Sequence, residues 1–330
     1  MPLHEISSGG PGKDGIPAID RPQFVRPAEA NGWLKDVEPV VSFDANGEAR
    51  AYPIQILIWH EIVNDTVGGV PVTVTFCPLC NTAIAFDRRL DGAVYDFGTT
   101  GNLRYSDLVM YDRQTESWWQ QITGEALVGD LAGKRLVALP ASMIAYSDFK
   151  TTFPQSKVLS RETGFRREYG ANPYVGYDDV HAPPFLYEGP KDGRLPPKER
   201  VVTLSLGSVD VAYPFSVLAR LGVVNDEVGG QAVAVFHQAG TASALDQAVI
   251  DRGRDVGAGV VFDPHVDGRR LTFKLEGGRV RDEQTSSTWN MAGQATSGPL
   301  TGKRLRTLNH GSHFFFAWAV FKPHTRIYQP

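Results

Sequence analysis

Cysteine is almost absent. Cys77 and Cys80 are the only two in 330 residues, so no framework of several disulfides exists and no second CxxC is available to complete a four-cysteine zinc site. Two cysteines do not fix a compartment: a secreted disulfide pair, a redox dithiol and a metal-ligand pair all stay open. Long apolar runs are missing too, and nothing approaches the ~18 residues of a membrane span. An excess of either charge is lacking. At a net charge of −4 there is no electrostatic reason to expect nucleic acid or an anionic membrane as partner. Nothing in the chain calls for a nucleotide cofactor. A signal peptide is not seen after Met1, which leads into Gly-, Pro- and Lys-containing sequence. That start implies either a cytosolic protein or a leader removed and replaced.

What is present is a repeat. Ala51-Tyr-Pro-Ile-Gln-Ile-Leu-Ile-Trp-His-Glu-Ile-Val-Asn-Asp-Thr-Val-Gly-Gly69 returns as Ala212-Tyr-Pro-Phe-Ser-Val-Leu-Ala-Arg-Leu-Gly-Val-Val-Asn-Asp-Glu-Val-Gly-Gly230, with about half the positions identical and no gap. Gln114–Trp119 matches Gln284–Trp289, and Leu131–Leu136 matches Leu300–Leu305. The expected fold is therefore a β-rich α+β protein of two homologous units. Each unit holds several short antiparallel strands and one or two short helices. Residues 1–36 form an extended N-terminal segment, 37–160 the first repeat, 161–199 a long ordered connector and 200–330 a second, degenerate repeat. The connector is too rich in aromatics and arginine for a plain linker.

The local pattern predicts a hairpin turning at Asn46-Gly47 and a short helix from Pro53 to Ile62. A turn is expected over 63–69, a strand over 70–76, then the CxxC and a strand over 82–87. Gly98 to Asn102 reads as a loop in which glycine permits close backbone approach. Lys134–Leu139 reads as a strand and Ser142–Phe153 as a helix.

The copies differ where the chemistry lies. In register, Cys77 faces Gln238, Cys80 faces Thr241 and His60 faces Leu221, whereas the shared residues are turn and core types. This contrast places the working site in the first unit. A CxxC turn brings two thiolates to one side of a soft or borderline ion, and a neutral imidazole can add a third bond. Cys77, Cys80 and His60 are thus the expected ligands of one copper, as Cu(I), or zinc ion. Among nearby carboxylates, Asp65 recurs as Asp226 and reads as a turn residue; Asp107, Asp112 and Glu125 are also close. Glu61 and Asp87 have no acidic counterpart and are the acid/base candidates. Trp119 recurs as Trp289 and reads as core. Trp59, Trp118, Tyr105 and Arg161 are the substrate-binding candidates. His310-Gly-Ser-His313 has metal-like spacing but sits in the degenerate copy.

Three functions fit. The first is a metalloenzyme acting on a small polar organic molecule or glycan, with glycoside hydrolysis placed ahead of oxidation. The second is a thiol–disulfide oxidoreductase. Against it, the residues after Cys80 read as a strand, whereas activating such a thiol calls for a helix N-terminus. The third is a non-catalytic metal-binding or metal-chaperone module.

Trp59-His-Glu-Ile-Val-Asn-Asp65, Phe76-Cys-Pro-Leu-Cys80 and Met110-Tyr-Asp-Arg-Gln-Thr-Glu-Ser-Trp118, together with Lys13–Asp20 and Pro196–Val202, resemble the bacterial and archaeal DUF3179 family over nearly the whole chain. The resemblance supplies little chemistry. It implies an exported protein whose N-terminal leader or lipid anchor has been removed, hence an extracytoplasmic setting in which copper or a disulfide is admissible.

Overall fold

The computed structural model describes residues 3–330. The protein is β-rich, and its longest helices are seven residues each. Three kinds of small sheet each occur twice. One is ordered Ala141–Ala145, Pro39–Ala45, Glu48–Pro53, Lys157–Leu159, Phe24–Val25; its counterpart is His310–Phe314, Arg200–Leu206, Val209–Pro214, Arg326–Ile327. In both, the connection to the last-named repeated strand is parallel and the others are antiparallel. The second kind is Ala138–Leu139, Thr82–Asp87, Val70–Cys77, Ile62–Val67, matched by Arg306–Thr307, Ala258–Asp263, Gln231–Gln238, Val223–Val228. The third is a meander from Phe97–Arg104 to Ala126–Val128, matched by Phe273–Glu276 to Ala295–Ser297.

The residues common to the halves act as internal clamps. Tyr52 donates to Asp65 (2.6 Å) and Tyr213 to Asp226 (2.8 Å). Asn64 brackets the backbone of Phe97 with two hydrogen bonds, and Asn225 does the same to Phe273. The indole of Trp119 donates to Asp112, that of Trp289 to Asp282. Each satisfies a buried polar group that would otherwise cost about 1–3 kcal/mol. The hydrophobic cores ignore the repeat boundary. One joins Phe76, Cys77 and Trp119 to Leu245, Phe314 and Phe316; another joins Val40, Ile144 and Phe149 to Phe236, Phe262 and Trp289.

Several local expectations change. The strand predicted over 70–76 runs Val70–Cys77, and the helix is Ile54–His60. Residues 63–67 are strand, not turn, because Asn64 and Asp65 carry the clamps just described; only Gly68 and Gly69 turn. Gly98–Asn102 lies inside the strand Phe97–Arg104, at a bulge between Thr99 and Asn102. Close approach does hold there: a Cβ on Gly101 would stand 1.9 Å from the Pro11 carbonyl oxygen. Over 134–139 only Ala138–Leu139 is strand, and the helix expected from Ser142 is the strand Ala141–Ala145 followed by the helix Tyr146–Thr152.

The N-terminal segment is pinned to the first half through Gly9, Asp14, Pro17 and Ile19. Arg161 opens the connector and is bound in place. It donates to Gln55 Oε1 (2.8 Å) and the Trp33 carbonyl (3.3 Å) and lies over the Trp33 ring, while Gln55 donates to Glu38 (2.7 Å).

Burial pushes the Glu38 carboxyl up to about 7. Below about pH 4.5 it is protonated both folded and unfolded. Between 4.5 and 7 the unfolded chain ionises first, so stability falls as pH rises through that window, by at most about 3 kcal/mol. Glu38→Gln removes the slope. Its melting temperature should gain on the wild type between pH 5 and pH 8; an equal difference at both pH values would refute the assignment.

Candidate metal centre

The CxxC closes a hairpin. Cys77 ends the strand Val70–Cys77, residues 78–81 turn, and Thr82 pairs back with Cys77. Asn81 takes a left-handed φ of 49° to make that reversal. The second half spends residues 239–257 on the same connection. The tight turn is therefore peculiar to the first half, as is the sulfur.

A second hairpin delivers the third donor. Phe97–Arg104 and Asp107–Asp112 pair down to Arg104 opposite Asp107, turning at Tyr105 (φ 53°) and Ser106 (φ 68°). A two-residue turn with both φ positive favours Asn-Gly or Gly-Gly, and the matching hairpin of the second half uses Gly277-Gly278. That hairpin stops at Glu276 opposite Arg279, whereas the first continues past its bulge. The extension carries Asp107 to the cysteines.

Both sulfurs and a carboxylate oxygen of Asp107 lie within 4.8 Å of one another, and all three residues are buried. Asp107 Oδ2 accepts from Gln120 Nε2 (2.5 Å) and the Ile122 amide (3.0 Å), whereas Oδ1 is buried without a hydrogen-bond partner among the described residues. Ser106 adds its carbonyl oxygen, 3.3 Å from Cys80 Sγ and 3.8 Å from Cys77 Sγ. An orphaned carboxylate oxygen beside two thiols is a donor set that fits a zinc-like dication. Without a counter-charge, burial pushes both thiols up, Cys80 well above its ordinary value.

The expected site residues separate. Cys77 and Cys80 belong to the trio. His60 does not join it: Nδ1 is 2.7 Å from the Pro17 carbonyl and Nε2 2.7 Å from the Tyr169 hydroxyl, so both ring nitrogens are engaged. Glu61 is beside it. It caps the helix with φ 58°, where Gly222 stands in the second half, and its side chain makes no hydrogen bond among the described residues. Burial, helped by the Asp107 charge, pushes it up to about 8. Asp87 is held by Arg89 and lies opposite Val72, five residue steps or about 17 Å from the Cys77–Thr82 pair. Trp59 packs against the first core, its buried indole N–H unpaired among the described residues. Trp118 pairs with Tyr111, four steps or about 13 Å along the strand from Asp107. Arg161 is committed to Gln55 and Trp33. Tyr105 makes the turn and packs on Tyr187 and Phe321.

The connector roofs the site. Tyr177 donates to the Leu79 carbonyl inside the CxxC (3.1 Å) and accepts from the Phe185 amide (3.2 Å). Ser106 Oγ donates to the Phe185 carbonyl (2.6 Å). Asp178, fully buried, anchors this stretch through Arg200 and Arg254 (both 2.9 Å). Tyr174 is close enough to Glu61 and Cys77 for their charges to hold its hydroxyl up, after burial. From the second half, the Phe314 amide donates to the Cys80 carbonyl (2.8 Å). Sequence reasoning left Asp107 among several nearby acids and missed Tyr174 and Tyr177. The only available signal was the long aromatic connector.

Residues 13–325 match a family described as a protein of unknown function, DUF3179. No curated protein and no solved structure matches the chain.

Tyr177→Phe removes the hydroxyl that ties the roof to the CxxC. The unpaired Leu79 carbonyl should cost about 1 kcal/mol, and a thiol reagent such as DTNB should modify Cys77 and Cys80 faster. An unchanged modification rate would show that the roof does not control access.

Proposed function

We propose that this chain, which belongs to the DUF3179 family, is a metalloprotein holding one zinc-like divalent ion through Cys77, Cys80 and Asp107, and that it hydrolyses a small polar substrate. The observation that carries the reading is Asp107 Oδ1, buried beside two sulfurs with no N–H or O–H donor and only the Cys80 thiol to meet it. A carboxylate ligand suits zinc better than Cu(I), which prefers sulfur and nitrogen. Two thiolates and a carboxylate total three negative charges, which a dication offsets further than a monocation. His60 takes a positioning role, linking the N-terminal segment to the connector.

When bound, such an ion supplies a Lewis acid that lowers the pKa of water at an open position. Glu61, which burial holds up to about 8 in the ion-free site, serves as proton donor to a leaving group. Tyr174 offers a hydroxyl with no hydrogen-bond partner among the described residues to orient the substrate. Ser106 and the Tyr177 roof exclude bulk water. The residues around the trio are tyrosines and Glu61. Trp118, Arg161 and Asp87 sit elsewhere, so the glycan-binding reading loses its support.

A second reading rests on the Cys80–Phe314 and Leu79–Tyr177 bonds. They tie both halves and the connector to one turn, so the ion serves as a staple alone. The gapless match of Ile54–His60 with Phe215–Leu221 and of Val70–Cys77 with Gln231–Gln238, and the kept order of the later elements, support descent of residues 37–160 and 200–330 from one duplicated unit. The second has lost the site.

Elemental analysis by mass spectrometry of tag-free protein should find one zinc per chain and none in Cys77→Ser/Cys80→Ser. Asp107→Asn should bind roughly tenfold more weakly or worse. Metal content unaffected by these changes would end the proposal. Glu61→Gln separates the readings: it keeps zinc and loses hydrolysis of p-nitrophenyl esters if the site is catalytic. A staple shows no hydrolysis in any form but a chelator-dependent fall in melting temperature.

A further inference from the structure

Two of the matching sheets differ at one edge. In the first half Lys157–Leu159 is covered by a fifth strand, Phe24–Val25 of the N-terminal segment; in the second half the sheet stops at four strands, with Arg326–Ile327 outermost. The registers allow a comparison residue by residue. Val158 stands opposite Ala51 and Ile327 opposite Ala212, each in a parallel pair. The fifth strand runs antiparallel, with Val25 against Val158 and Phe24 against Leu159, and the Ser160 amide donates to the Gln23 carbonyl (2.8 Å).

The same groups lie open in the second half. The Tyr328 amide donates inward to the Ala212 carbonyl (2.9 Å), so strand alternation turns the N–H and carbonyl of Ile327 outward. Among the described residues neither has a hydrogen-bond partner, and neither does the amide of Gln329, which stands in the place of Ser160. Burial follows the same contrast: Val158 and Leu159 are fully buried, Ile327 and Tyr328 only half. A cleft of about 590 Å³ runs along this edge, between Arg194 and Leu195 of the connector and Ser216 and Val217 of the helix Phe215–Leu221. Arg194 does not close it. Its guanidinium donates to the Pro323 and Thr325 carbonyls (3.0 and 2.8 Å), upstream of Ile327. In the first half Arg26 donates to the Gln155 carbonyl (3.0 Å) in the same way, beside a strand that stays paired.

We propose that the Arg326–Tyr328 edge binds an extended segment of a partner protein, which adds antiparallel as the missing fifth strand. The first half shows the chemistry of the occupant: an aromatic residue followed by a β-branched one, Phe24-Val25, with the backbone on either side free to pair. Phe24 meets the ring of Tyr52 edge-on (centroids 6.1 Å). Tyr213, in the place of Tyr52, meets Tyr328 (5.3 Å), and the half-exposed Tyr328 ring offers an incoming aromatic a similar surface. An arginine after the pair is not required, because Arg194 already serves that end.

The probe is a fluorescein-labelled synthetic peptide of residues 20–28, titrated into the full-length protein and read by anisotropy. It should bind saturably. The first-half edge does not compete, since the chain's own segment is tethered there. Ile327→Pro removes one outward N–H and none of the bonds to Ala212, and Gln329→Pro removes the next; each should weaken binding roughly tenfold or more. A peptide N-methylated at Val25 keeps both side chains but loses its donor to the Ile327 carbonyl, and should bind as weakly. Should Ile327→Pro fail to fold, Gln329→Pro decides. No saturable binding, or undiminished binding either by the N-methylated peptide or to Gln329→Pro, overturns the proposal. So does a dimer that Gln329→Pro dissolves in sedimentation, because a second copy of the chain is then the occupant.

Discussion

The Tyr105-Ser106 turn decides where Asp107 can be, and with it whether two buried thiols have a partner. Both residues take a left-handed backbone that costs a non-glycine residue on the order of 1 kcal/mol or more. The second half makes the same turn with Gly277-Gly278 at no such cost. The first half keeps the strain and gains three things from it. The Ser106 carbonyl reaches both sulfurs, its hydroxyl holds the connector at Phe185, and Tyr105 packs beneath Tyr187. Glu61 repeats the pattern, with a left-handed φ where the second half has Gly222. Two left-handed turns beside the cysteines thus carry side chains where the second half has glycine, while others, at Asn46, Asp91 and Glu116, lie elsewhere in the first half.

The two halves separate the residues they share from those found in only one. Tyr–Asp, Asn–backbone and Trp–Asp clamps occur in both at nearly the same distances. They fix how the sheets meet and say nothing about chemistry. Cys77, Cys80, Glu61, Ser106 and Asp107 are found on one side only. The second half still takes part, since its strand end bonds to the Cys80 carbonyl and its helix Phe315–Phe321 supplies Phe316 to the first core. The long connector is then a cover that needs both halves to hold it, with Arg161 fixed at one end and Asp178 clamped to Arg200.

Much of this was legible in the sequence. The sequence repeat anticipated the paired sheets, Cys77 and Cys80 supplied two members of the buried trio, and Asn46-Gly47 located the first hairpin. Asp107 was not legible as a neighbour of the cysteines, because it is 27 residues from Cys80 in the chain and reaches it only through a hairpin extension that no local pattern announces. His60 looked like a ligand because its counterpart is Leu221. Its distinctness has another cause: it bridges Pro17 and Tyr169, two segments that the second half lacks in matching form. Residues 63–69 read as a turn by composition, yet Asn64 and Asp65 are strand residues whose polarity serves long-range clamps. In each case a tertiary contact overrode a local preference.

Enclosure also bears on which chemistry is open. A thiol that exchanges disulfides needs a depressed pKa and access to its partner. Here burial pushes both thiols up, a strand follows Cys80, and Tyr177 closes over Leu79. Those features weaken a redox dithiol and strengthen a bound cation. A cation inverts the local balance: it favours thiolate and carboxylate where burial alone favours thiol and acid. Glu61 and Asp107 then divide by position: in the ion-free site burial holds Glu61 up, to about 8, while Asp107 presents its oxygen to the sulfurs. Two neighbouring buried carboxyl groups can differ in role because only Asp107 is held by Gln120 and the Ile122 amide.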